Sequence, residues 1–405
     1  MLSTAVGAPP ASPSAVLPRV GPRATGRRYL FFTNECVGLG HLRRSLTLAR
    51  AVRAADPTSS SLIVTGSSMP EDVAVPGVDT VKLPTLSRDL EGQLHSPSLL
   101  GCHGSATSLR AQLALTTALS YRPDVVVVDK LPLGLGEELL PTLQAVRARG
   151  GCRVVLGLRD IEDDPRVVRA RWAAADTLRD LARYYDEVLV YGPETGFDAL
   201  ACAAGGRAGL PVRHVGYVGS PLPPAPPADL PDDYLLVTCG GGADGWGMAA
   251  AVVEALRRAP LPVPVVLVTG PLMPADQVQA LRGQARGLDV RVLRSRSDMP
   301  SVVVGARAVV CMAGYNTVSE VLRAGKPVLL VPRLRPSREQ QIRAELLAER
   351  GLAAVLLPDG LTPTVVRTAL DELLEAAAPT VDLALYDGAA CAAQRLTRLG
   401  RRAAA

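Results

Sequence analysis

The stretches Ala308-Val-Val-Cys-Met312, Ala313-Gly-Tyr-Asn-Thr-Val-Ser-Glu320, Val321-Leu-Arg-Ala-Gly-Lys-Pro-Val-Leu-Leu-Val-Pro332 and Arg338-Glu-Gln-Gln341 follow one another closely in a chain of 405 residues. They read as strand, turn, helix, strand and helix, because two short apolar runs alternate with amphipathic segments and glycine marks the turn. A helix that starts at such a turn presents free backbone N–H groups and its positive end, which together suit an anion. Gly314, Asn316 and Thr317 stand there. Glu320, one turn further, can accept both hydroxyls of a ribose with one carboxylate. Beyond the second strand, Glu339 and Gln340 open another helix toward the same crevice. A carboxylate beside an amide is suited to reading sugar hydroxyls.

The same alternation extends outward. Apolar runs at Tyr234 to Thr238, Val263 to Thr269, Val290 to Leu293, Ala308 to Met312 and Val328 to Val331 predict one parallel sheet. Runs at Tyr29 to Thr33, Leu62 to Thr65, Val125 to Val128, Val154 to Leu158 and Val188 to Tyr191 predict another. Unbroken runs such as Val125-Val-Val-Val128 suit strands buried on both faces by helices. Between the two sets, Pro221-Leu-Pro-Pro-Ala-Pro-Pro-Ala-Asp-Leu-Pro231 interrupts all periodicity and favours an extended connector. The expected organisation is a disordered leader at 1–27, an N-terminal domain at 28–220, a Pro-rich linker at 221–232, a C-terminal domain at 233–380 and a last helix at 381–405. That helix is expected to cross back to the N-terminal domain with its arginines as a solvated face.

Composition narrows the classes. Forty-four basic and 39 acidic residues leave a net charge of +5, too weak a field to imply nucleic acid. Only Lys82, Lys130 and Lys326 are lysines. The seven cysteines (Cys36, Cys102, Cys152, Cys202, Cys239, Cys311, Cys391) are scattered, with no C-x-x-C pair, which argues for a reducing cytoplasm and against a metal. No apolar run is long enough to span a bilayer.

Two further signals lie at predicted strand ends. Thr33-Asn-Glu-Cys-Val-Gly-Leu-Gly-His41 leads into a helix, so Gly38 and Gly40 make a tight turn and His41 faces the crevice, or else caps or packs the helix start. Its imidazole can take a proton from a hydroxyl near neutral pH. Gly40, Arg43 and Lys130 are expected on the acceptor side. Asp129 and Lys130 end another strand; Asp129 can fix the histidine tautomer, or pair with Lys130, or cap a helix. Arg159 and Asp160 end the next, near an acceptor or as a cap. In the second half, Cys239-Gly-Gly-Gly-Ala-Asp-Gly245 turns into a helix, and Gly240, Gly241 and Gly242 suit a diphosphate.

From Ala308 to Gly351 the chain resembles the donor domain of GT-B glycosyltransferases, including the bacterial cell-wall N-acetylglucosaminyltransferase and the plant and animal nucleotide-sugar enzymes. Val37-Gly-Leu-Gly-His-Leu-Arg-Arg-Ser45, Val128-Asp-Lys-Leu-Pro-Leu-Gly134, Gly157-Leu-Arg-Asp-Ile-Glu-Asp-Asp-Pro165 and Tyr185-Asp-Glu-Val-Leu-Val-Tyr-Gly192 resemble a less characterised bacterial family of predicted glycosyltransferases. The resemblance implies an α/β GT-B fold with two Rossmann-like domains facing a central cleft. It implies inverting, metal-independent hexosyl transfer from a UDP- or dTDP-sugar, with no cofactor, to a saccharide, lipid carrier or small molecule. His41 would be the base, Glu320 would bind ribose, and Glu339 with Gln340 would bind the sugar. The expected setting is the cytoplasm, with at most peripheral contact at the inner face of the membrane.

Two departures stand out: Met312 replaces a phosphate-binding histidine of plant and animal relatives, and Glu339, Gln340 and Arg343 replace the Gln-Gln and later Asn of the cell-wall enzyme. An epimerase on the same scaffold, which needs several cleft carboxylates, and a non-catalytic nucleotide-sugar-binding protein are the alternatives. A nicotinamide dehydrogenase fits poorly, because no complete dinucleotide fingerprint is present.

Overall fold

The computed structural model describes residues 26–33, 40–67, 77–88, 93–97, 99, 103–204 and 209–403. The expected leader through residue 25 and the 34–39 part of the first turn, Gly38 included, lie outside them.

The strands of the N-terminal half are β1 (Arg28–Phe32), β2 (Ser60–Thr65), β3 (Val78–Lys82), β4 (Ser87–Arg88), β5 (Leu94–His95), β6 (Val125–Asp129), β7 (Arg153–Arg159), β8 (Glu187–Tyr191) and β9 (Val212–His214). Its helices are α1 (Gly40–Ala55), α2 (His103–Tyr121), α3 (Leu140–Arg149), α4 (Pro165–Ala174), α5 (Thr177–Tyr184) and α6 (Ala199–Ala204). Seven strands form a parallel sheet in the order β3-β2-β1-β6-β7-β8-β9, and β4 pairs antiparallel with β5.

The C-terminal half carries β10 (Tyr234–Thr238), β11 (Val265–Val268), β12 (Val290–Leu293), β13 (Ala306–Cys311), β14 (Val328–Leu330) and β15 (Ala354–Val355). They form a second parallel sheet, β12-β11-β10-β13-β14-β15. Its helices are α7 (Trp246–Arg258), α8 (Ala275–Gln284), α9 (Met299–Gly305), α10 (Tyr315–Arg323), α11 (Glu339–Glu349) and α12 (Pro363–Glu375), with α13 (Gly388–Ala403) last. Among the described residues no helix is long and apolar enough to cross a membrane.

The valine run of β6 shows why the sheets are buried on both sides. Val125 and Val127 enter one apolar core and Val126 and Val128 the other, as the period of two requires. Five strands were not foreseen, among them the two-residue strands β4 and β5. Every residue of β3 keeps some exposure, and β9 and β15 are edge strands of three and two residues, too short for a periodic signal.

Strand order places the site. Each sheet reverses direction once, between β1 and β6 and between β10 and β13, and ligands of open parallel sheets gather beyond the carboxyl ends of the strands at such a reversal. His41 and Asp129 follow from the first reversal, and Gly240 and α10 from the second.

The halves are joined by more than the linker. Tyr217, just before the prolines, stacks on Tyr386 with centroids 5.3 Å apart and tilts against Tyr315 at 5.8 Å. Gly216, at φ +84°, and Gly388 cross so closely that a Cβ on Gly388 would lie 2.3 Å from the Gly216 carbonyl oxygen, so neither position tolerates a side chain. Helix α13 packs on α1 and buries Leu396 and Leu399. The solvated-face reading of its arginines is corrected at Arg395, which grips the buried Glu187 carboxylate at 2.7–3.0 Å.

Candidate active site

His41 lies in the first turn of α1 and Asp129 at the end of β6; Nδ1 of the ring is 2.5 Å from Asp129 Oδ2. Arg44, three residues along the same helix face, donates from Nε and Nη2 to Asp129 at 2.7–3.2 Å. Burial opposes ionisation of Asp129, but the charges of Arg44 and His41 hold its carboxyl well below the usual carboxylate range. An ionised Asp129 accepts the Nδ1 proton and leaves Nε2 as the basic nitrogen. The Arg44 guanidinium lies over the rings of Tyr191 and Tyr315, 5.4 and 5.5 Å from their centroids. Sequence reasoning missed Arg44, although its i+3 spacing from His41 was a usable signal.

A cavity of about 420 Å³, within the range of small-molecule sites, begins at Leu42 and Arg43, the residues that follow His41, although His41 and Asp129 do not themselves line it. Gly240, Asn316, Thr317 and Glu320 line it from the C-terminal half, and Leu42, Arg43, Leu46, Thr47 and Arg50 of α1 from the other. Asn316 Nδ2 donates to the Gly40 carbonyl oxygen at 3.4 Å, so the first turns of α1 and α10 meet at one residue's remove from His41. Residues 295–301, which lead from β12 into the first turn of α9, also line it. They were not singled out in the sequence, though they too follow the carboxyl end of a strand. A slightly larger cavity, about 470 Å³, lies between β15 and α12, with Glu372 as its one charged lining residue among the described residues. It lacks the polar groups a nucleotide needs.

The glycine turn has a structural reason of its own. A Cβ on Gly242 would fall 2.4 Å from the Thr269 carbonyl oxygen. The Gly242 N–H donates to Cys239 and that of Gly240 to Thr238 Oγ1. Met312 packs in the C-terminal core and is not part of the cavity wall.

The structure corrects the expected surroundings of several residues. Arg159 and Asp160 meet α11: Arg159 Nη1 is 2.6 Å from Glu339 Oε1, and Arg343 Nη2 reaches Glu339 at 2.9 Å and Asp160 at 3.3 Å. Burial works against the Glu339 carboxylate, yet Arg159 and Arg343 bring it down to about 2; Asp160, by contrast, is raised by burial. Lys130 pairs with Glu162 at 3.0 Å rather than with Asp129. Gln340 accepts the Arg333 N–H at 3.1 Å. Arg159–Glu339 and Arg343–Asp160 cross the boundary of the two halves, whereas Lys130–Glu162 and Arg343–Glu339 stay within one.

Glu320 is 7% exposed, and burial raises its carboxyl to about 7, with Arg43 acting against the shift. A folded-state value above the ordinary 4.5 means that the favourable contribution of the protonated form is complete below 4.5 and is lost as pH rises to 7. Glu320→Gln, which stays neutral, is therefore expected to gain about 2–3 kcal/mol on the wild type between pH 4.5 and 7, and no more above that. Denaturation midpoints at several pH values measure this; a pH-independent difference would contradict it.

Residues 234–382 match the glycosyltransferase family 28 C-terminal domain. With the two parallel sheets and the cleft between them, this defines the chain as a glycosyltransferase of GT-B type with a family 28-type C-terminal donor domain. Among its relatives is the UDP-N-acetylglucosamine–N-acetylmuramyl-(pentapeptide) pyrophosphoryl-undecaprenol N-acetylglucosamine transferase of Symbiobacterium thermophilum, 29% identical over 90% of this chain and 94% of that one. The enzyme of the same name from Limosilactobacillus fermentum is 27% identical over 84% and 88%. Similar solved structures are MurG of Acinetobacter baumannii (TM-score 0.55, 18% identity, 91% and 95% covered) and the calicheamicin glycosyltransferase CalG4 (TM-score 0.56, 20% identity, 94% and 97% covered).

Proposed function

We propose that the chain transfers an N-acetylhexosaminyl group from a UDP-sugar to an acceptor hydroxyl, with inversion and without a metal ion. The carrying observation is the His41–Asp129 pair at the start of α1, whose next residues, Leu42 and Arg43, line the same cavity as Asn316, Thr317 and Glu320. His41 takes the acceptor proton as the acceptor oxygen bonds to the anomeric carbon and the bond from that carbon to the diphosphate breaks. Asp129 orients the ring and offsets the charge it gains. The amino-terminal turn of α10, from Gly314 to Thr317, faces the leaving diphosphate, with the Gly240–Gly242 turn beside it. Glu320 takes the ribose hydroxyls. Gln340 is left as the sugar ligand of the pair, while Glu339, held by Arg159 and Arg343, joins the halves. The relatives' names specify a UDP-N-acetylglucosamine donor and a lipid-linked acceptor, which supports a lipid-linked saccharide here and work at the cytoplasmic face of a membrane.

The test is a thermal-shift panel of UDP-, dTDP- and GDP-sugars in EDTA. A ligand that binds only the native state raises its stability by mass action. UDP-N-acetylglucosamine is expected to give the largest rise; no response to any sugar nucleotide would remove the proposal.

A further inference from the structure

We infer that Arg43, although it belongs to the N-terminal half, binds the donor's diphosphate across the cleft and not the acceptor. The inference rests on the donor-site reading above and adds a ligand that the donor domain itself does not supply.

Positions 43, 47 and 50 of α1 are spaced i, i+4 and i+7, so they share one face, and that face lines the cavity opposite Asn316, Thr317 and Glu320. The cations of the cavity wall differ in what they already hold. Arg296 is committed to Asp229 and Asp298, each at 2.6 Å. Arg44, the neighbour in sequence, is buried against Asp129. Arg43 and Arg50 are exposed, and neither side chain has an ion-pair or hydrogen-bond partner among the described residues, so their positions along the cavity decide between them. Glu320, the acid whose charge it senses, is raised toward neutrality by burial and cannot fully balance it.

Depth in the cavity separates phosphates from nucleoside. Arg43 is in the first turn of α1, level with the first turn of α10, since Gly40 and Asn316 touch. Arg50 lies about 10 Å further along the helix, in the cavity that Ser220, Pro221 and residues 295–301 also line. A nucleotide with its ribose at Glu320 and its base toward those residues places its diphosphate between the positive end of α10 and Arg43. A guanidinium there forms charge-assisted bonds to phosphate oxygens. It supplies what Met312, packed in the core, cannot.

The experiment compares a nucleoside diphosphate with its free nucleoside, using whichever of UDP, dTDP and GDP the wild type binds most tightly. Titrations are run on wild type, Arg43→Gln and Arg43→Lys. The glutamine variant is expected to bind the diphosphate roughly 10- to 100-fold more weakly and the nucleoside within about twofold of wild type, with partial recovery in the lysine variant. Unchanged diphosphate affinity in Arg43→Gln, or equal loss of both ligands, would overturn the inference. Failure of the wild type to bind any of the three diphosphates would overturn the donor-site reading itself, and the inference with it.

Discussion

Replacement of His41 by alanine is expected to lower kcat about 10²- to 10⁴-fold, the usual worth of a positioned general base, while leaving nucleotide affinity nearly unchanged. The variant is clean for a structural reason. Asp129 is buried and anionic, but its charge is met by Arg44 through Nε and Nη2, so removing the ring strands no carboxylate. His41 itself is partly exposed, with 18% of its side chain accessible, and its loss opens no sealed core cavity. Asp129→Asn is a different experiment, because it would disturb both Arg44 and the histidine tautomer. Steady-state rates with saturating sugar nucleotide measure the first effect and calorimetric titration the second. A His41→Ala enzyme with wild-type kcat would move the proton-accepting role elsewhere.

Loss of Arg343 is expected to cost about 3–5 kcal/mol of stability, as removal of one partner from a buried ionic cluster typically does. Arg343 is 1% exposed and serves three acceptors: Glu339, Asp160 and the Ala313 carbonyl oxygen. Its guanidinium also faces Tyr315, 5.7 Å from the ring centroid, on the tyrosine that Arg44 covers as well. Arg343→Met keeps most of the volume and strands the two carboxylates. Arg338→Gln is the control at the same boundary, since its ion pair with Asp164 is solvated and worth about 0–1 kcal/mol. Urea midpoints for the two variants should differ clearly; equal midpoints would mean that the buried cluster does not hold the halves together. The pH dependence has a definite sign. Glu339 falls from 4.5 to about 2 on folding, so its contribution is present above 4.5 and is lost as pH drops toward 2.

What was legible in the sequence was whatever repeats locally. The runs at Val125 to Val128 and Tyr234 to Thr238 announce buried parallel strands, because sheets covered by helices need apolar residues on both faces. Gly314, Asn316, Thr317 and Glu320 were legible as a group because one helix start carries all four. The cross-half contacts were not. Arg159 and Glu339 are 180 positions apart, and Asp160 and Arg343 are 183 apart. Nothing local distinguishes a strand-end acid that faces substrate from one that faces an arginine of the other domain. Glu339 shows the consequence: its place at a helix start reads as a sugar ligand, whereas its carboxylate is held by two guanidinium groups. The pairing of His41 with Asp129 was one of several options for that acid; the position of Arg44 on the same helix face is what draws Asp129 to α1 and away from Lys130.

The central claim is that the cavity between α1 and α10 holds the nucleotide of a sugar donor. Calorimetric titration of UDP-N-acetylglucosamine into wild type and Glu320→Ala tests it most directly. The account predicts one site per chain in the wild type and a loss of at least about tenfold in affinity in the variant, the worth of a pair of hydrogen bonds to the ribose. Equal affinity in the two proteins would contradict it.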